Sequence, residues 1–197
     1  EESSLIIGIG HWVLETACRQ LALWGNDEKK CNLELAVNVS ARQFKSRDFV
    51  DKVAAVIKEQ RVDPSRLKLE LTESVVLENI ADVVAKMHAL KALGVKLSMD
   101  DFGTGYSSLS YLKQLPFDQI KIDRSFVRDI VTDPDDAVMV QTIIDMAHNF
   151  SLSSVAEGVE IEAQLAFLKR HGCMVYQGFL FSKPVPVEEF EVLLGGL

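Results

Sequence analysis

Four carboxylates, two amides and one lysine stand out by their placement in the chain. Asn38, Glu70, Asp100 with Asp101, Lys121, Glu157 and Gln177 each close a short extended run, and successive ones lie 20 to 36 residues apart, about one strand–helix unit. Carboxylates gathered in one cleft repel one another and raise each other's pKa unless a cation compensates. The set offers only carboxylate and amide oxygens, with neither His nor Cys, so the matching cation is a hard divalent ion, Mg2+ or Mn2+. Adjacent Asp100 and Asp101 can place one carboxylate between two ions, and Lys121 can then hold an attacking water or a phosphate oxygen. Singly, each residue has a plainer reading. Asn38 suits a turn or cap, Glu70 a solvent-facing strand position, and Asp101-Phe102-Gly103 the start of a turn. Six strand ends in series outweigh those readings.

The elements that must position these residues alternate along the whole chain. A first helix carries Val13, Ala17, Leu21 and Trp24 on one face and stops at Gly25-Asn26. Leu33, Leu35 and Val37 then alternate with Glu34, Ala36 and Asn38 as a strand, followed by a helix with Val50, Val53, Ala54 and Ile57. The cycle repeats with strand 67–71, a helix bearing Ile80, Val83, Val84, Met87 and Leu90, the stop at Gly94, and strand 95–99. Further strands fall at 117–122, 153–156 and 174–176, with helices after Pro134 and around Phe190, Leu193 and Leu194.

Uninterrupted alternation without a linker predicts one α/β domain of parallel strands joined by right-handed crossovers. Six strands suit a doubly wound sheet, but strand-end residues that converge on one site suit a (β/α)8 barrel better. Such barrels need about 250 residues, so 197 residues that begin on a helix leave roughly two strands unaccounted for.

Composition narrows the class. The chain is 48% hydrophobic with a formal net charge of −8, which disfavours a purely electrostatic grip on DNA or on anionic lipid. Cys18, Cys31 and Cys173 form neither a disulfide framework nor a zinc knuckle, which fits a cytoplasmic domain. No uncharged apolar run reaches the roughly 18 to 20 residues of a membrane span. Gly103-Thr104-Gly105-Tyr106-Ser107-Ser108 lacks the Gly-Lys-Ser/Thr ending of a P-loop, and two acids precede it, so it reads as an active-site loop.

Taken together, the motifs resemble the EAL domain family of bacterial cyclic di-GMP phosphodiesterases. The resemblance runs through Asn38-Val39-Ser40-Ala41-Arg42-Gln43-Phe44, Glu70-Leu71-Thr72-Glu73-Ser74 and Asp100-Asp101-Phe102-Gly103-Thr104-Gly105, and continues through Lys121-Ile122-Asp123-Arg124, Ala156-Glu157-Gly158-Val159-Glu160 and Gln177-Gly178-Phe179. It implies a modified TIM barrel, here without its N-terminal strands, that hydrolyses cyclic di-GMP to linear pGpG with two Mg2+ or Mn2+ ions. Asn38, Glu70, Asp100 and Asp101 are then expected as metal ligands, and Lys121 as a contact of the hydrolytic water. Glu157 is expected at the second metal or as general base, with Gln177 and Asp123 in support. Glu73 is expected to anchor the loop that begins Phe102, Gly103, Thr104 and Gly105, through which, with a neighbouring helix, two copies pair. Sensory or diguanylate cyclase domains are common companions, some of them membrane-anchored; the domain itself is expected to touch neither membrane nor DNA.

One departure matters. The family's Glu-Ala-Leu signature, whose Glu is a metal ligand, does not occur ahead of His11-Trp12-Val13, so residues 1–197 read as an N-terminally incomplete domain. That leaves a second expectation beside hydrolysis, a catalytically inactive receptor for cyclic di-GMP. A Mg2+-dependent barrel that stabilises an enolate also uses strand-end carboxylates and a Lys, but does not account for the whole motif series.

Overall fold

A computed structural model describes residues 5–75, 80–104 and 112–195. Helix α1 spans Leu5–Gly25 and strand β1 Leu35–Val39. Helices α2 (Ala41–Lys45) and α3 (Phe49–Gln60) lead to β2 (Leu67–Thr72), and α4 (Ile80–Ala92) to β3 (Lys96–Phe102). Strand β4 (Gln119–Ile122) is followed by α5 (Arg124–Asp129) and α6 (Pro134–Asn149). Strand β5 (Ser153–Glu157), α7 (Glu162–Arg170), β6 (Val175–Gln177) and α8 (Val187–Gly195) complete the chain.

Among the described residues the strands form one six-stranded sheet in sequential order, β1 to β6, with every neighbouring pair parallel. Sequential order, with helical crossovers following β1, β2, β4 and β5, is the winding of a TIM barrel, and the sheet forms part of one. β1 and β6 are its two edges.

The two faces of the sheet differ in kind. On β2, Leu67, Leu69 and Leu71 are fully buried against the helices, as are Leu97 and Met99 of β3 and Ile120 and Ile122 of β4. Val83, Met87 and Leu90 of α4 and Val140, Ile143 and Ala147 of α6 meet that apolar face. The alternate positions, Lys68, Glu70, Ser98, Asp100, Gln119 and Lys121, face the concave side and are polar. Burial of each outward Leu supplies roughly 1.5–3 kcal/mol, so the helix-covered face holds the sheet together and frees the concave face for chemistry.

Helix ends follow local sequence. Pro134 opens α6 behind Asp133, whose carboxylate takes the Asp135 N–H, and Ser40 caps α2 by accepting from Gln43 N. Arg66, only 8% exposed, fastens the segment entering β1: its Nε donates to the Leu33 carbonyl at 2.9 Å and its Nη2 to that of Lys30 at 3.3 Å. Arg66→Met keeps the aliphatic stem but strips both carbonyls, and is expected to cost about 1–3 kcal/mol in urea unfolding; an unchanged midpoint would show that the segment holds without it.

Candidate functional site

Lys121, on β4 and 5% exposed, lies at the centre of the concave face. Its Nζ pairs with Glu70 Oε2 of β2 at 2.8 Å, with Asp100 Oδ1 of β3 at 2.9 Å, and with Glu157 Oε1 of β5. Gln177 Nε2 of β6 donates to the same Glu157 oxygen at 3.1 Å. Five consecutive strands thus bring one side chain each to a single point, as the strand-end pattern predicts.

Neighbouring residues on a strand point to opposite faces, so Asp100 and Asp101 would ordinarily part. Two features keep them together. The β3–β4 register shifts between Met99 and Phe102, and Asp101 adopts a left-handed backbone with φ 53°. Asp100, Asp101 and Glu157 consequently each offer a carboxylate oxygen within 4.8 Å of the others. The turn that follows is tight: Thr104 Oγ1 donates to the Asp101 carbonyl at 2.8 Å. Gly103 has φ 99°, and a Cβ there would sit 2.9 Å from the Phe126 ring, so both its conformation and its packing require glycine.

Other sequence-derived candidates fall at varied distances from this point. Asn38 sits beside Glu70 in the β1–β2 register and is exposed at the sheet edge. Asp123 caps α5, accepting from Ser125 N at 2.9 Å, and its charge helps raise the pKa of Asp101. Glu73 is buried, 5% exposed, in the 3-10 turn after β2. Phe102, Gly103 and Thr104 belong to the described turn, whereas Gly105 and the rest of the loop Glu73 is expected to anchor, through residue 111, lie outside the described residues.

The electrostatics follow from the crowding. Burial opposes the charge on Lys121, yet its hydrogen bonds to Glu157 and Glu70, the Glu70 charge and the bond to Asp100 outweigh that and hold its pKa above the ordinary lysine value. Burial pushes Glu157 up, and the charges of Asp100 and Glu70 add to the rise against the pull of Lys121. Asp101 is raised by burial first, then by the charges of Asp100 and Asp123.

From Glu157 and Gln177 a cleft of about 910 Å3 runs between β1 and β6. Trp12, Trp24, Phe179 and Phe181 make it largely apolar, while Arg124 and Lys183 bring positive charge. Sequence reasoning missed this cleft. Arg124 was visible within the Lys121-Ile122-Asp123-Arg124 motif, but its place beside Glu157 needs the fold.

The comparisons with known proteins agree with this fold. The EAL domain family matches residues 1–184, and the chain belongs to that family. It is 46% identical over 189 residues to the bifunctional diguanylate cyclase/cyclic di-GMP phosphodiesterase MucR of Pseudomonas aeruginosa, covering 96% of this chain and 27% of MucR. It is 44% identical over 191 residues to the signaling protein YkoW of Bacillus subtilis, covering 97% of this chain and 24% of YkoW. The chain therefore spans about a quarter of the length of these multidomain relatives. A solved structure of the MucR phosphodiesterase in complex with cyclic di-GMP superposes with a TM-score of 0.91 at 45% identity, covering 94% of this chain and 75% of that one. No helix among the described residues is long and apolar enough to cross a membrane.

Lys121→Met retains the stem and leaves the carboxylates of Glu70, Asp100 and Glu157 facing one another without their cation. In EDTA at neutral pH it is expected to lower unfolding stability by about 3–5 kcal/mol. The loss should shrink as acid neutralises the carboxylates, and unfolding measured at pH 7 and pH 5 checks both points. An unaltered stability would show that the cluster does not depend on Lys121.

Proposed function

We propose that this domain hydrolyses cyclic di-GMP to linear pGpG with two divalent ions, Mg2+ or Mn2+. The observation that carries the reading is the group of Glu70, Asp100, Asp101 and Glu157 around Lys121, in a chain of the EAL family. The MucR relative, named as a cyclic di-GMP phosphodiesterase and solved with that ligand, supports the choice of substrate. Carboxylate oxygens from Asp100, Asp101 and Glu157 within 4.8 Å of one another are the donor chemistry a hard divalent ion requires, so the residues present fit the ions.

Asp100, Asp101 and Glu70 would hold the ions, with Asn38 reaching in from β1. When bound, the ions neutralise the phosphate and lower the pKa of a water towards neutrality. Glu157 serves that site or takes the proton of the attacking water. Gln177 fixes the Glu157 carboxylate from the far side. Lys121 places its ammonium beside the charge that develops as the P–O3′ bond breaks and a 5′-phosphate forms. Asp123 steadies Asp101, and Glu73 steadies the loop after Phe102.

The reading extends to the open side of the barrel. Further strands fit between the edges of β1 and β6, and the Glu of a Glu-Ala-Leu segment there would join the ligand set. Residues 1–197 then form one EAL domain in an otherwise multidomain protein acting in the cytoplasm. Pairing of two copies through the loop after Asp101 belongs to the same reading.

Cyclic di-GMP turnover, followed by separating pGpG, should appear with Mg2+ or Mn2+ and vanish with EDTA. Glu157→Gln should lower it about 10^2- to 10^4-fold. Turnover that survives EDTA would overturn the metal mechanism. Tight binding without turnover, in a domain that includes a Glu-Ala-Leu segment, would make the protein a receptor.

A further inference from the structure

Gln164, in the first turn of α7, is buried at 4% exposure and uses both ends of its amide. Its Oε1 accepts from Glu160 N at 2.7 Å and from Ile161 N at 3.1 Å. Its Nε2 donates to the Arg128 carbonyl, at the end of α5, at 3.1 Å. A residue that only caps α7 needs the first pair of bonds; the third, to a helix 36 residues away in sequence, is not a capping contact.

The pieces joined are those that carry the site. Loop 158–161 follows Glu157 directly, and α5 begins behind Asp123, two residues after Lys121. The loop also packs on the start of α5: Gly158 has φ 70°, and a Cβ there would lie 2.8 Å from Arg124 Cβ. Val159 N donates to the Gln177 carbonyl at 3.1 Å, and Leu180 N to the Val159 carbonyl at 3.0 Å, which ties the same loop to the end of β6. A shift of loop 158–161 away from α5 therefore moves Glu157 relative to Lys121 and Gln177 together.

We infer that Gln164 is a positioning residue, whose amide clamps loop 158–161 to α5 and so sets where Glu157 meets Lys121 and the metal-holding carboxylates. The inference rests on the proposed hydrolysis for its catalytic readout. Gln164→Glu tests it, because the carboxylate still accepts from Glu160 and Ile161 at a helix N-terminus but cannot donate to the Arg128 carbonyl. The expected result is a cyclic di-GMP kcat lowered about 10-fold or more with KM little changed, and a similarly weakened affinity for Mn2+, titrated alone by its paramagnetic resonance signal. The thermal midpoint should stay within a few degrees of the unsubstituted protein. Should that variant fail to fold, Gln164→Met, which gives up all three bonds at similar volume, is read by the same two measurements. Wild-type kcat and Mn2+ affinity in the variant would reduce Gln164 to a helix cap and overturn the inference. If the unsubstituted protein shows no hydrolysis, the proposed reaction falls, and Gln164 is judged on Mn2+ affinity, which requires no substrate.

Discussion

Mutual repulsion of carboxylates held at the mouth of a narrow parallel sheet is the constraint on which the rest depends. Glu70 and Asp100 are buried, Glu157 is half-buried, and all three reach one ammonium. Without a cation at that point each buried negative charge would add several kcal/mol of desolvation to the repulsion, against a domain stability of only about 5–15 kcal/mol. Lys121 meets the constraint in the protein alone, and the donor set around it offers only oxygens, the chemistry of a hard divalent ion. In the proposed hydrolysis one charge problem shapes both folding and function.

The polar concave face extends below this point. Glu34 pairs with Lys68 and Lys96 towards the N-terminal ends of the strands. In the next layer Ser98 donates to Gln119, and Gln119 donates to Ser153 at 3.1 Å. Each of these layers pairs its own polar groups, so the concave face remains polar with those groups hydrogen-bonded or ion-paired. The cost is offset on the other face, where fully buried Leu, Met and Ile side chains lock the strands to the helices. Such a division of labour between faces explains how the strand ends can carry so much charge.

Much of this was legible in the sequence, for identifiable reasons. Strand–helix alternation and the spacing of strand-end polar residues predict six parallel strands in order, and the structure has them. Glu70, Asp100, Lys121, Glu157 and Gln177 stood out because each is a polar residue closing an extended run, spaced by about one strand–helix unit. Boundaries drifted by a few residues: β1 begins at Leu35 rather than Leu33, and β3 runs on to Phe102. That extension reflects the register shift at Asp101, which no period-2 pattern encodes. Asn38 pairs with Glu70 in the β1–β2 register and is exposed because β1 is an edge of the sheet, a fact of closure rather than of local pattern. Gln164 escaped notice because its meaning lies in a bond to a carbonyl 36 residues away.

The central claim, that the carboxylates around Lys121 form a divalent-metal centre, is tested most directly by crystals soaked in MnCl2 and measured at the manganese absorption edge. The account predicts anomalous density among Asp100, Asp101 and Glu157, with Lys121 drawn away from at least one of its three carboxylate partners. No anomalous density there at saturating Mn2+, with all three Lys121 ion pairs intact, would contradict it.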